Sequence, residues 1–107
     1  MVQLIPIGFF RELRHSGNPQ GPSLQEARRL QPGPYQAQVV DYLKQGTLLV
    51  GCLGLVRDFF VGGGPPIASP HLLTDGRHIW YRDLPYYVGH YNVKVPDEFI
   101  EYAIKNQ

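Results

Sequence analysis

The tetrapeptide Thr74-Asp75-Gly76-Arg77 separates two apolar runs, His71-Leu72-Leu73 and His78-Ile79-Trp80-Tyr81. Asp-Gly readily adopts the backbone conformations that reverse a chain between antiparallel strands, so this stretch predicts a β-hairpin. The sequence on either side is broken up by 12 glycines and 10 prolines among 107 residues, about a fifth of the chain. That share is above the ordinary ~12% and below the ~25–30% of disordered chains. Short elements joined by tight turns are therefore expected. With 43% hydrophobic and 12% aromatic residues, the chain has the material for one core, and residues 1–107 are read as a single globular domain.

The remaining elements follow from local signals. Val2 to Ile7 reads as a strand that Pro6 places at an edge or an end. Phe9, Phe10 and Leu13 have the spacing of a short helical turn. Ser23-Leu24-Gln25-Glu26 has the form of a capping box, predicting a short helix that Pro32-Gly33-Pro34 stops. Pro34 can open the next helix, whose face carries Gln36, Val39, Val40 and Leu43, with Gly46 as its C-terminal cap. Thr47 to Leu53 reads as a buried strand, and Cys52 within it as a small core residue. Leu55 to Phe60 fits either a strand extension or a helical turn. Gly62-Gly63-Gly64-Pro65-Pro66 reads as a flexible loop closed by a stiff pair. Asp83 suits an N-cap for a helix over Leu84 to Tyr91, and Val95-Pro96-Asp97-Glu98 opens a last helix with Phe99, Ile100, Ala103 and Ile104 as its apolar stripe. The order predicts an α+β fold: a small, mainly antiparallel sheet with helices packed on one face.

Several functions are excluded or disfavoured. One cysteine leaves no intramolecular disulfide and no zinc site of several thiolates. No segment has the ~18–20 consecutive apolar residues of a membrane span. Met1 to Phe10 lacks a basic n-region and a small-residue cleavage site, so a reducing cytoplasm is the expected compartment. The histidines 15, 71, 78 and 90 show no helical metal-site spacing, and no metal or other cofactor is expected. In a four-residue loop closed by Leu73 and His78, His71 would pair near Trp80. The glycine loop is followed by prolines rather than by a helix N-terminus, so it makes a poor phosphate cradle.

Ten basic and nine acidic side chains give a formal charge of +1, a balance unlike that of a polyanion binder. Residues 1–45 carry +2 and residues 46–107 carry −1. Arg11, Arg14, Arg28 and Arg29 would have to converge for single-stranded nucleic-acid binding, and they lie far in sequence from the tyrosines.

The segment Leu72-Leu73-Thr74-Asp75-Gly76, Trp80, Asp83-Leu84, Tyr86-Tyr87-Val88, Tyr91 and Val95-Pro96-Asp97-Glu98-Phe99 resembles a group of small uncharacterised bacterial proteins. In them a T-D-G hairpin precedes W-x-W, D-L-x-Y-Y-V and L-P-x-E-F motifs. Here Tyr stands for the second Trp, or the register shifts, and Val95 stands for the Leu. The resemblance covers about a third of the chain, with a looser echo at Asp41-Tyr42-Leu43, Gly46-Thr47 and Val56-Arg57-Asp58. It implies a small bacterial domain and no particular activity.

Asp83, Tyr86, Tyr87, His90 and Tyr91 fall at i, i+4 spacings on the predicted helix, making neighbouring polar-aromatic stripes. No nucleophile stands beside a base at a recognisable spacing, which argues against an enzyme. The expected function is a non-enzymatic protein-interaction or regulatory domain, of the accessory or immunity type. Its expected surface is Trp80, Arg82, Asp83, Tyr86, His90 and Tyr91, since Tyr, Trp and Arg dominate interface hot spots. A protein partner or self-association is expected. The alternatives are a small-ligand protein or enzyme using His90 with Tyr86, Tyr91 or Asp83, and a single-stranded nucleic-acid binder.

Overall fold

The predicted hairpin forms the centre of the structure, a computed structural model that describes residues 3–107. Strand β5 (Leu72–Thr74) pairs antiparallel with β6 (His78–Tyr81), Leu73 opposite Trp80 and Thr74 opposite Ile79. The turn is therefore Asp75–His78, one residue later than the sequence predicts, and His71 lies beside Arg82, whose N–H donates to the His71 carbonyl at 2.9 Å. The shift has a local cause. Asp75 Oδ1 accepts from the amides of Arg77 and His78 at 2.9 and 2.6 Å, and Thr74 Oγ1 donates to the His78 carbonyl. Asp and Thr thereby close the turn with their own side chains.

Two further strands complete a four-stranded sheet in the order β1-β6-β5-β2. Strand β1 (Ile5–Pro6) runs parallel to β6, and β2 (Thr47–Val50) runs antiparallel to β5. The predicted N-terminal strand is thus shortened to its proline-marked end, and Val2 lies outside the described residues. A second, two-stranded sheet pairs β3 (Val56–Arg57) with β4 (Pro66–Ala68). Pro66, expected in a loop, begins this two-stranded sheet's β4 at an exposed position, where a missing N–H costs little. Leu55 to Phe60 proves to be extended at first and then a turn.

Helix α1 (Leu24–Ala27) is a single turn. Ser23 Oγ accepts from the Glu26 amide at 3.2 Å, as a capping box requires. Glu12 supplies the rest of the cap, accepting from Ser23 Oγ, Leu24 N–H and Gln25 N–H. Phe9, Phe10 and Leu13, expected in a short helical turn, lie in turns, with the Leu13 N–H donating to the Phe10 carbonyl at 3.2 Å and a 3-10 segment following at Arg14–Ser16.

Helix α2 (Gln36–Lys44) starts two residues later than Pro34 suggested, because Tyr35 takes a left-handed φ of 58° at the cap. Val39 and Leu43 are buried, as the expected face requires. Gly46 plays a different part from the predicted cap: a Cβ there would meet Trp80 Cζ2 at 2.7 Å. Helix α3 spans Leu84–Tyr91 and α4 spans Asp97–Lys105, with Phe99 and Ala103 buried.

The fold is α+β, with a mainly antiparallel sheet. Trp80 and Leu73 lie on the same face of the sheet and join Leu43, Phe99 and Tyr87 in one hydrophobic core. Trp80 is fully buried and donates its indole N–H to the Leu43 carbonyl at 3.0 Å. Its ring meets Phe99 edge-on at 5.7 Å. Trp80 therefore belongs to the core and not to the binding surface read from sequence. No helix of the described residues is long and apolar enough to cross a membrane.

Candidate functional site

Among the described residues, strand β2 has no neighbour on its outer side, and each of its four residues is exposed. Leu48, Leu49 and Val50 expose 57, 48 and 44% of their surface, followed by Leu53 and Leu55 at 100 and 63%. The sequence predicted a buried strand here, and this is the largest correction. A continuous apolar run specifies burial only if something covers both faces and both edges. In this fold β2 is the last strand of the sheet. Cys52, expected in the core, is only partly buried, and its N–H donates to His71 Nδ1 at 2.9 Å.

A groove of about 1050 Å³ adjoins this edge. Leu48 and Leu73 of the sheet form one side, Val40 and Lys44 of α2 the back, Ile67 of β4 and Leu55 a second side, and Arg82, Tyr86 and His90 the wall at α3. Lys44 and Arg82 are its charged residues, and no carboxylate lines it.

Three of the six residues predicted as a site come together here: Arg82, Tyr86 and His90. His90 is exposed, stacks on the Tyr86 ring with centroids 4.2 Å apart, and places Nδ1 at 3.1 Å from the Tyr86 carbonyl. The other three lie elsewhere. Trp80 is in the core. Asp83 is 1% exposed and faces His15, with Oδ2 and Nε2 2.9 Å apart but off the line of a hydrogen bond. Asp83 occupies the N-cap position of α3 without a side-chain capping bond. Tyr91 packs against Phe60, and the Arg28 guanidinium lies 4.7 Å from both ring centres.

Asp58, which the sequence marks with no role of its own, organises this region. Its carboxylate is buried and accepts from the Tyr86 hydroxyl at 2.7 Å, the Tyr91 hydroxyl at 2.6 Å, and the amides of Phe60 and Val61 at 2.8 and 3.3 Å. Tyr87 accepts from the Phe59 amide at 3.0 Å and donates to the Arg57 carbonyl at 3.3 Å. The tyrosines of α3 thus clamp the turn after β3. Burial opposes ionisation of Asp58, yet the hydrogen bonds from Tyr91, Tyr86 and the two amides outweigh it and hold the carboxyl below its ordinary value.

The reciprocal effect falls on the phenols. The Asp58 hydrogen bond, helped by desolvation, pushes Tyr86 up to about 12, and the same two causes raise Tyr91. Burial raises Tyr42, Tyr81 and Tyr87, and for Tyr42 the bond to Asp75 adds to it. A phenol whose pKa is higher folded than unfolded contributes stability that is present below pH ~10 and lost as pH rises toward the folded value. Alkaline titration followed at the phenolate absorbance should therefore show five of the seven tyrosines ionising late, together with unfolding; independent titration of all seven near pH 10 would contradict the clamp.

These engagements bear on chemistry. The Tyr86 and Tyr91 hydroxyls are committed to Asp58 and Asp83 is turned toward His15, so none of the three is poised against His90 as an acid-base partner. The arginines do not converge either: Arg11 and Arg29 line one cleft, Arg28 lies over the two aromatic rings, and Arg14 is exposed on the 3-10 segment. No group of three or more His, Cys, Asp or Glu able to hold a metal ion occurs among the described residues. Comparison with protein-family models, curated proteins and solved structures finds no match to this chain.

Proposed function

We propose that the chain is a non-enzymatic protein-interaction domain of the accessory or regulatory kind, acting in the bacterial cytoplasm and binding an extended segment of a partner protein along β2. An immunity-type role, in which such a segment belongs to a toxin, is one form of this function. The observation that carries the proposal is the unguarded edge. Sheet edges are ordinarily blunted by charge, proline, a bulge or a covering element; Thr47-Leu48-Leu49-Val50 has no charge and no proline, and its one interruption is the register shift between Leu48 and Val50. A strand added there gains main-chain hydrogen bonds, and its alternate side chains lie on the Leu48 face, toward the groove.

The groove also states the partner's chemistry. Leu48, Leu55, Ile67 and Leu73 make its sides apolar, Lys44 and Arg82 are its charges, and no carboxylate lines it. The fitting segment alternates apolar residues and carries Asp or Glu to meet Lys44 and Arg82. The engaged state of Tyr86 and Tyr91 favours this reading over catalysis by His90.

A randomised peptide library displayed on phage and selected on the folded protein tests it. The expected result is enrichment of alternating apolar sequences with acidic residues. Leu48→Lys and Leu49→Lys should weaken the selected peptides by roughly 30-fold each, equivalent to ~2 kcal/mol, while Arg14→Gln leaves them unchanged. Enriched peptides that bind both lysine variants as well as the parent would overturn the proposal. So would a stable dimer with β2 protected, which would make the occupant a second copy.

A further inference from the structure

The described residues show ion-pair distances only at His15–Asp83 and His78–Asp75, so none of the ten Lys and Arg side chains has a carboxylate partner. Four of the nine carboxylates are turned to internal work: Glu12 caps α1, Asp58 holds tyrosines, Asp75 closes the hairpin and Asp83 faces His15. The exposed acids are Glu26, Asp41, Asp97, Glu98 and Glu101, against nine exposed cations and the half-buried Arg29. The solvent-facing surface is thus more basic than the formal charge of +1 suggests.

Three of these cations meet at a cleft of about 560 Å³ between the Phe9–Arg11 segment, α1 and the chain entering α4. Arg11, Arg29 and Lys94 line it, with Glu26 as the one carboxylate. Its other walls are largely apolar, with Asn18 and Ser23 as the neutral polar residues: Phe10 and Val95 are buried, and Phe9 and Pro96 also line it. Arg29 is fixed at the margin of the cleft: its Nε–H donates to the Asn92 carbonyl at 2.9 Å, its backbone N–H to the Tyr91 carbonyl at 3.2 Å, and its guanidinium lies against Gly33. Asn92 and Gly33 lie outside the cleft lining, so Arg11 and Lys94 are the cations free to turn toward a ligand there. Asn92 secures the same corner by donating to the Arg29 carbonyl and accepting from Gln36.

We propose that this cleft binds a small organic acid with an apolar body. A volume in the ~300–1000 Å³ range, largely apolar walls and a few fixed polar groups are the general features of small-molecule sites. Arg11 and Lys94, exposed and without carboxylate partners, add the preference for an anion, and Phe9, Phe10 and Val95 favour an apolar body over a bare inorganic ion. This site is separate from β2 and does not depend on the reading given to that edge.

The test uses 1-naphthoate and its neutral counterpart 1-naphthamide as probes, followed by amide chemical shifts of the folded protein. The naphthoate should saturate with shifts centred on Phe9, Phe10, Arg29 and Lys94 and bind at least ~10-fold more tightly than the amide, with affinity falling as salt rises. Lys94→Gln and Arg11→Gln should each weaken it several-fold. These two exposed variants carry the test if Arg29→Gln disturbs the corner at Asn92. Equal affinity for acid and amide, saturation without shifts at this cleft, or no saturation at millimolar concentration would each overturn the proposal.

Discussion

Replacing Asp58 with alanine should cost roughly 3 kcal/mol of folding stability and release the turn after β3. The carboxylate accepts four hydrogen bonds, two from tyrosine hydroxyls and two from amides, and it is 5% exposed. Hydrogen bonds to a charged group contribute about 1.5–3 kcal/mol each, and donors left without an acceptor add a desolvation cost. Asp58→Asn keeps the shape but loses the charge, so a smaller loss of about 2 kcal/mol is expected.

The pH dependence has a definite sign. Because folding lowers the Asp58 pKa, its contribution is present above pH ~4 and is lost as pH falls through the folded value. Glu12 and Asp75 are lowered as well, by hydrogen bonds that outweigh their burial, so the parent protein should weaken steeply in acid. Asp58→Asn should show a shallower acid slope, because two of the three carboxylates still titrate, and should approach the parent's stability once the pH has fallen through the folded Asp58 value. Denaturant unfolding at several pH values measures this. Parent and variant curves that remain parallel down to acid pH would remove Asp58 from the stability account.

Trp80→Ala should have the larger effect, about 3–5 kcal/mol, in a domain whose whole margin is ~5–15 kcal/mol. The indole is fully buried, contacts Phe99 and Tyr42, and satisfies the Leu43 carbonyl at the end of α2. Its removal leaves a cavity and takes one donor from the Leu43 carbonyl, which keeps the Gly46 N–H at 3.4 Å. The Gly46→Ala variant approaches the same ring from the other side. Its methyl would sit 2.7 Å from Cζ2 and 3.0 Å from Leu73 Cβ, so an overpacking cost of about 1–3 kcal/mol is expected. In the parent, emission of this single tryptophan should be blue-shifted when folded and move red on unfolding. A Trp80→Ala protein with unchanged thermal stability would contradict the core described here.

The parts of this fold that were legible share one property: their determinants lie within a few residues of one another. Asp75 and Thr74 bond within their own turn, and Ser23 caps Glu26 three residues on. What escaped was set at a distance. Asp58 takes its hydroxyl donors from 28 and 33 residues further along, and nothing local to Asp58-Phe59-Phe60 signals that arrangement. Gly46 reads as a helix cap because its neighbour Trp80 is invisible in the linear chain. Strand β2 reads as buried because apolar composition reports a preference, whereas strand order decides whether that preference is met. The tyrosine pattern on α3 was found, but its hydroxyls point inward to Asp58 and the main chain. Only Arg82, Tyr86 and His90 of the predicted surface reach the groove. Charge was misleading for a similar reason, since the formal sum gives no sign that four carboxylates are engaged inside the fold.

The central claim is that β2 accepts a partner's strand, and amide hydrogen exchange tests it most directly. Exchange would be measured on the protein alone and with a selected acidic-apolar peptide bound. An unpaired edge leaves alternate amides open to water, so Thr47–Val50 should include fast-exchanging amides in the free protein. On binding, these amides should become protected, with accompanying shifts at Tyr86 and His90 across the groove. Protection that appears elsewhere while β2 continues to exchange freely would contradict the account.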